Sequence, residues 1–305
     1  MRAGAATTAA GVSAAVARGE AAFRAARCRR RRARLLGAAI LLACLLLSAW
    51  VAEADPATLR AGLPRIGEYF RRILPALRWE VLFASAETEG SLAFWFYRLD
   101  SWALLLWETA QMAALATLLG FAAAVPLAFP AARTLAPGPL AFHLARRSLE
   151  ALRTVPELVV ALILVWAFGV GPLAGILAIA LHSTGALGKL FAEAIENADL
   201  RPFEGVRAAG GTWAEACRFG VLPQVLPNLL SYGLLRFEIN LRSASVIGFV
   251  GAGGIGEELY AAIASNYYEE VSAIMLLIIL AVACVDLASE RLRHAVIGAM
   301  GSAPR

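Results

Sequence analysis

Four polar side chains interrupt one apolar segment in the second half of the chain, and they could bind an anion or pair with one another. They are Arg236, Glu238, Asn240 and Arg242. At 100° per residue, Arg236 and Asn240 lie on one face of a helix, and Glu238 and Arg242 lie on the nearly opposite face. Because Glu238 precedes Arg242 by four residues, the spacing favours an ion pair that stabilises helix packing.

The position of these residues within the segment restricts where they can point. If the segment crosses a bilayer from Leu229 at about 1.5 Å per residue, they fall near its centre. An arginine there costs at least about 2.5–3.5 kcal/mol, so it faces a protein interior or a wet cavity. We therefore expect Arg236 and Asn240 to face a path for an anion. The alternative is that all four residues serve only helix and dimer packing.

A second polar element, residues 191–226, lies between two apolar segments and has the composition of a docking element. Glu204 falls in the first turn of a predicted helix, where a carboxylate is favourable, and Gly210 with Gly211 permits a left-handed turn. A second helix is predicted over Trp213–Phe219, closed by Leu222-Pro223. Such a helix–bend–helix forms a knob that can transmit a displacement, although an ordinary amphipathic connector would show the same pattern.

A glycine-rich stretch follows the charged segment and fits the pattern GxGxxG. Its glycines are Gly251, Gly253, Gly254 and Gly256. A dinucleotide site with this pattern requires a buried strand before it and a helix after it in a βαβ unit. Here a predicted membrane helix precedes the stretch. We therefore expect close helix packing or a backbone bend at an outer gate, and not nucleotide binding.

The elements that position these residues follow from composition. The chain has 305 residues, of which 60% are hydrophobic and 17% are charged, and a mean hydropathy of +0.67. Soluble domains are about 45–50% apolar and 25% charged, whereas the apolar runs here approach the 20 residues of a bilayer-spanning helix. The sequence therefore predicts an all-α, polytopic membrane protein.

Six transmembrane helices are predicted, at about residues 35–52, 102–129, 149–168, 173–190, 228–250 and 271–288. They are flanked by a mostly disordered basic tail (1–34), an extracytoplasmic or interfacial connection (53–101) rich in aromatic residues, and a C-terminal tail (291–305). Lys and Arg concentrate in the tails and in the connections near 130–153 and 189–218, and are absent from 169–172 and 251–270. The positive-inside rule therefore predicts that both termini and residues 191–226 are cytoplasmic.

Charge and rare residues exclude several classes of function. Most of the net charge of +5 derives from an arginine cluster before the first apolar run. A cluster at this place is typical of a positive-inside topology signal with affinity for anionic lipid, and not of a nucleic-acid-binding surface. The four cysteines lie far apart and form no cluster with the three histidines, so we expect no disulfide framework and no metal site. We expect no catalytic residues.

The spacing of the polar element resembles the EAA loop of ABC-transporter permeases, through which the membrane subunit docks on its ATPase. Glu204 is followed six residues on by Gly210, and twelve and thirteen residues later by Leu222 and Pro223. The chain departs from the pattern at Gly205-Val206, where paired alanines are usual, and at Gly220, where isoleucine is usual.

Residues 100–290 resemble, more specifically, the permease subunit of bacterial phosphonate ABC importers. The segments that carry the resemblance are Glu108-Thr109 with Gln111-Met112, Arg153–Glu157, His182–Gly185 through Lys189, Gly220–Pro227, Arg236–Ser243 and Gly251–Gly256. The resemblance implies a type I ABC importer permease fold over 102–290. It also implies a coupling loop whose contact residues are Glu204, Arg207, Gly210, Gly211, Leu222 and Pro223.

The resemblance further implies partners and a location. A separate ABC ATPase would bind ATP and Mg, since this chain contains no GxxxxGK[ST] and is expected to bind no cofactor itself. An extracytoplasmic binding protein would deliver phosphonate to a homodimer of this chain in the bacterial inner membrane. A cationic path would help a phosphonate dianion to cross.

Three alternatives stay open on the sequence. The same permease role could serve another small solute, such as phosphate, methionine or an organosulfonate. An integral membrane enzyme would need paired His, Asp or Arg groups at one membrane face, whereas His143 and His182 are isolated. A passive channel would transport its solute without ATP.

Overall fold

The computed structural model describes the backbone of residues 3–301, and the side chains of residues 29–293 together with Phe23, Arg27 and Ala295. Throughout that range the regular structure is helical. The chain divides into two units, Met1–Arg71 and Arg72–Arg305. The prediction of an all-α membrane fold is confirmed.

The first unit consists of α1 (Ala3–Val51) and most of α2 (Pro56–Ile73). The first predicted span lies in the apolar stretch Arg29–Val51, none of which is buried within the protein. The prediction of a disordered tail over residues 1–34 was wrong, because α1 begins at Ala3. Alanine and arginine are among the strongest helix formers, and their local preference outweighs the lack of an apolar face.

The described residues of the second unit form ten further α-helices. They are α3 (Leu92–Trp95), α4 (Leu99–Ala131), α5 (Pro139–Thr154), α6 (Glu157–Phe168), α7 (Pro172–Glu196), α8 (Arg201–Ala208), α9 (Trp213–Glu215), α10 (Leu222–Ile247), α11 (Ile255–Ala264) and α12 (Tyr268–Gly301). Helix α7 is central and packs against α4, α5, α6 and α10. Small residues allow the closest approach: a Cβ on Gly120 of α4 would lie 2.7 Å from the Cβ of Ser183 on α7.

The predicted third span, 149–168, is not one helix. Helices α5 and α6 meet at an angle of 85°. Pro156 lacks an N–H and disfavours helical geometry at Val155, so the chain bends at that point. Four described helices are long and apolar enough to cross a membrane, or up to six if each of two bent pairs is one span.

The last helix ends later than the sequence predicted. Helix α12 continues to Gly301, so the helix extends through most of the segment 291–305 that was predicted as a tail. The sequence contains no glycine and no proline from Val271 to Ile297. Because these are the residues that most often end a helix, nothing in the local sequence terminates α12 earlier. Residues 302–305 lie outside the described part of the chain.

Candidate functional site

The polar element 191–226 folds as an elbow, which we define as residues 199–223. Helix α8 begins with Arg201-Pro202 and carries Glu204 in its first turn. Gly210 has a φ of +90°, a left-handed geometry that favours glycine, and Arg207 Nη1 donates to the carbonyl of Gly211 at 2.8 Å. The predicted helix–bend–helix is therefore present, with the predicted contact residues Glu204, Arg207 and Gly210 exposed.

The second arm of the elbow begins with a capping box. Thr212 Oγ1 accepts from the backbone N–H of Glu215 at 3.3 Å, and Glu215 Oε2 accepts from the backbone N–H of Thr212 at 2.7 Å. The backbone N–H of Thr212 holds the pKa of Glu215 below its usual value. These two bonds satisfy N–H groups that the helix would leave unpaired.

The second arm does not end where the sequence indicated. The prediction of a helix closed by Leu222-Pro223 was wrong, because the chain continues from α9 through a π-helical stretch, Ala216–Val221, into α10. Pro223 lies in the first turn of α10, a position where the fixed φ of proline is compatible with the helix. The elbow is thus joined to a long helix without an intervening loop.

The two arms of the elbow are in direct backbone contact. A Cβ added at Gly220 would lie 2.7 Å from the backbone N of Phe203 and 2.8 Å from its Cα. Gln224 closes the base: its Nε2 donates to the carbonyl of Asp199 at 3.0 Å, and its Oε1 accepts from the N–H of Asp199 at 3.2 Å. The elbow is therefore held together by contacts between its two arms and by hydrogen bonds at its base.

One further contact connects the elbow to the loop between α4 and α5, and the end of α7 contacts the same region. The indole Nε1 of Trp213 donates to the carbonyl of Leu135, just after α4, at 2.7 Å. At the end of α7, Glu196 accepts from the N–H of Arg133 at 2.8 Å and pairs with Arg146 of α5 at 3.2 Å. Sequence reasoning missed these contacts, since no spacing rule relates residues so far apart. The elbow is thus attached to the segment after α4 through Trp213 and is continuous with α10, and the end of α7 is attached to the same segment and to α5.

The intramembrane polar residues form two groups. Arg242 Nη2 contacts Glu238 Oε1 at 2.5 Å, as the i, i+4 spacing indicated, and Asp286 Oδ2 of α12 at 3.2 Å. The second contact was not predicted, because Asp286 lies within an apolar run with no helical spacing to Arg242. This group connects α10 to α12.

The second group lies between α4, α7 and α10. Asn240 is completely buried, and its Nδ2 donates to Thr117 Oγ1 at 2.8 Å and to Ser183 Oγ at 2.9 Å. Asn240 therefore belongs to helix packing in this structure, and not to an open path as its helical face indicated. The helical period predicts the direction in which the Asn240 side chain points, but it does not show that α4 and α7 bury that side chain.

Arg236 differs from Asn240 although the two share a face. It is half-buried, and its Nε donates to Ser183 Oγ at 3.1 Å, which is the one hydrogen bond of its side chain to the described residues. Glu157, the first residue of α6, is the carboxylate whose charge acts on Arg236. The Oε2 atom of Glu157 is buried and has no hydrogen-bond partner within the described part of the chain, and the same holds for the Nδ1 atom of His182. No pattern in the sequence singled out either residue for this site.

The glycine stretch Gly251–Gly256 connects the end of α10 to the first turn of α11, and the two helices are bent by 48°. A Cβ on Gly256 would come into contact with the carbonyl of Ser245, and Gly254 lies against Thr109 of α4. The N–H of Gly171 donates to the carbonyl of Gly251 at 2.9 Å. The stretch therefore packs tightly against its neighbours, while its role as an outer gate stays a prediction.

The segment that precedes α4 contacts α11 and the start of α12. Trp95 Nε1 donates to the carbonyl of Glu269 at 3.1 Å and to Ser272 Oγ at 3.0 Å. Arg98 forms an ion pair with Glu258 at 2.5 Å. Residues 72–98, whose role the sequence did not indicate, are thus attached to the same end of the helices as the glycine stretch.

Comparison with known proteins identifies the family and the fold of the chain. Residues 116–300 match the model of the family described as binding-protein-dependent transport system inner membrane component. The phosphite transport system permease protein PtxC of Stutzerimonas stutzeri is 42% identical over 256 residues, covering 84% of this chain and 86% of that protein. The putative cryptic phosphonate transport system permease protein PhnE2 of Escherichia coli (strain K12) is 50% identical over 117 residues, covering 38% of this chain and 96% of that protein.

A solved structure shares the fold. An inward-facing conformation of the MetNI methionine ABC transporter superposes with a TM-score of 0.55 and 20% sequence identity. The match covers 64% of this chain and 95% of that one. At this identity the likeness establishes the architecture of the helices and not the solute.

Proposed function

Since the chain belongs to the family of binding-protein-dependent transport system inner membrane components, we propose that it imports phosphonate or a related phosphorus oxyanion such as phosphite. It is the permease subunit of an ABC importer and not an enzyme, and it is a multi-pass protein of the inner membrane. Its function requires an ATPase subunit and a binding protein. The ATPase binds ATP and Mg, and this chain binds no cofactor.

One observation carries the proposal for the solute: Arg236 is fixed through Nε on Ser183, while its terminal nitrogens have no acceptor among the described residues. A guanidinium whose two terminal nitrogens are free to donate matches the oxygens of a tetrahedral oxyanion. An arginine within the membrane is costly and marks a solute pathway by default. Relatives named for phosphite and for phosphonate transport support this class of solute.

A single contact of this kind suits transport. A site with several cations would hold an anion too tightly for release, whereas one arginine lowers the barrier without trapping the solute. The other intramembrane arginine, Arg242, is already paired with Glu238 and Asp286. Arg236 is therefore the residue that we assign to the path.

The elbow is the proposed coupling element. Two copies of the chain form a homodimer, and each elbow docks on one ATPase subunit in the cytoplasm. When ATP closes the ATPase dimer, the elbows move together, and their attachment to α4, α7 and α10 converts an inward-open into an outward-open bundle. The exposed residues Glu204, Arg207 and Gly210 make the contact. Both termini lie in the cytoplasm, as the distribution of Lys and Arg supports.

The test is uptake by proteoliposomes that contain the permease, its ATPase and its binding protein. We expect ATP-dependent uptake of methylphosphonate or phosphite, and a large loss in Arg236→Gln with normal assembly. Arg291→Gln, at an exposed arginine near the end of α12, is the matched control and should transport normally. Unchanged uptake by Arg236→Gln would remove Arg236 from the path, and delivery of methionine or an organosulfonate by the binding protein would overturn the solute assignment.

A further inference from the structure

Three polar residues from three helices lie at the same depth. Glu157 is eleven residues before the outer end of α6 at Phe168, Ser183 is eleven residues after the start of α7 at Pro172, and Arg236 is eleven residues before the end of α10 at Ile247. At 1.5 Å per residue, each lies about 16 Å from the outer ends of these helices. The contact between Arg236 and Ser183 shows that α7 and α10 meet at this level.

Glu157 lies on the face of α6 that points into the protein. Ala161, one turn further along α6, is completely buried, and Val160, Leu164 and Val165 pack against the same core. Since residues i and i+4 share a helical face, Glu157 is directed to that interior. Helix α6 packs against both α7 and α10, which carry Ser183 and Arg236.

The carboxylate of Glu157 is an acceptor without a donor. Its Oε2 is enclosed and accepts no hydrogen bond from any described residue. It interacts with the charge of Arg236, yet the two side chains form no ion pair within the described part of the chain. A buried acceptor with no donor is costly, and an ionised carboxylate can only accept. A group that donates a hydrogen bond to Glu157 and accepts one from Arg236 would satisfy both side chains.

We propose that Glu157 selects solutes that carry a hydroxyl on the oxyanion, accepting a hydrogen bond from P–OH while Arg236 binds the P–O⁻ oxygens. This inference rests on the proposed function and specifies its site. Monoprotonated phosphonate, phosphite and phosphate offer both groups. Sulfate offers no hydroxyl, leaves Glu157 without a donor, and brings two negative charges towards a carboxylate. Glu157 is thus a specificity-determining residue.

Phosphorus NMR on the purified complex of permease and ATPase, in lipid nanodiscs without nucleotide, tests the proposal. The probes are methylphosphonate and dimethylphosphinate at about pH 6, where much of the methylphosphonate keeps one P–OH group. Ionised dimethylphosphinate has a P–O⁻ group and no hydroxyl. We expect the complex to broaden the methylphosphonate resonance, to broaden that of dimethylphosphinate at least about tenfold less, and to show no displacement of methylphosphonate by excess sulfate.

Variants assign the selection to the carboxylate. Glu157→Gln keeps the shape, removes the charge and adds an N–H donor, so dimethylphosphinate should now broaden like methylphosphonate and sulfate should compete. Glu290→Gln, at an exposed carboxylate of α12, should behave as the wild type. If Glu157→Gln does not assemble, the comparison of the two probes on the wild type decides alone.

Two results would overturn the inference, and they differ in what they leave standing. Equal broadening of methylphosphonate and dimethylphosphinate by the wild type would refute selection by Glu157 and leave transport of phosphorus oxyanions intact. No broadening of any phosphorus oxyanion, together with no uptake of these solutes by proteoliposomes, would refute the selection and the proposed function alike.

Discussion

Replacing Gly220 by alanine tests whether the close contact between the two arms of the elbow matters for coupling. The added Cβ would lie 2.7 Å from the N of Phe203, 2.8 Å from its Cα and 2.9 Å from the carbonyl carbon of Pro202. All three atoms belong to the backbone, so no side-chain rotation can relieve the contact. Helix α8 must move away from the π-helical stretch.

The size of the effect follows from these distances. Ordinary van der Waals contact begins at 3.4 Å, so the two arms must separate by about 0.7 Å. Inserting one methyl group into packed structure costs about 1–3 kcal/mol. A free-energy change of this size alters an equilibrium constant by about 5–150-fold. We therefore expect a severe loss of coupled transport.

A matched control lies on the opposite arm. Gly205 lies inside α8, and a Cβ added to it would have no atom within 4 Å. Gly205→Ala should stabilise the helix by about 0.4–1 kcal/mol without moving the arms. The assay is the ratio of methylphosphonate taken up to ATP hydrolysed in proteoliposomes, with capture of the ATPase subunit measured in parallel.

The expected result is normal transport in Gly205→Ala and a low transport-to-ATP ratio in Gly220→Ala. Equal ratios in the two variants would show that the contact between the arms is not needed for coupling. That outcome would contradict the proposal that the elbow transmits the movement of the ATPase through its joined arms.

Three further predictions concern the same region. Trp213→Phe removes the indole donor to Leu135 and should lower the transport-to-ATP ratio while ATPase capture persists; loss of capture instead would make Trp213 a docking residue. Thr212→Ala should cost about 1 kcal/mol of helix stability, seen as faster amide exchange after residue 212. Because Glu215 has a lowered pKa, its share of the cap is present at neutral pH and is lost as the pH falls through that lowered value; exchange independent of pH, after correction for intrinsic rates, would contradict this. Burial raises the pKa of the Cys217 thiol to about 11, so a variant with serine at the other cysteines should react slowly with maleimide until it is denatured, and fast labelling of the folded protein would refute the buried position.

Local patterns predicted what depends on neighbours along the chain. Apolar runs located the long helices, glycine at 210 located the bend, and the four-residue spacing located the pair Glu238–Arg242. Each of these follows from one helix or one turn. Pro156 also indicated the break between α5 and α6, but the apolar run continues across it, so one span was predicted there.

What the sequence did not show depends on contacts between distant segments. Asp286 completes the Arg242 group from α12, and α4 and α7 enclose Asn240 through Thr117 and Ser183. A helical period fixes the direction of a side chain but not the helix that it meets. The unpartnered carboxylate of Glu157 became visible only once α6 was placed beside α7 and α10.

ATP-driven coupling through the elbow is tested by uptake of methylphosphonate into proteoliposomes that contain this chain, its binding protein and one of two ATPases. One ATPase is active, and the other lacks its phosphate-binding lysine. We predict uptake with ATP and the active subunit, and none with the inactive subunit or without ATP. Uptake that continues without a working ATPase would contradict the conclusion that a separate motor drives this permease.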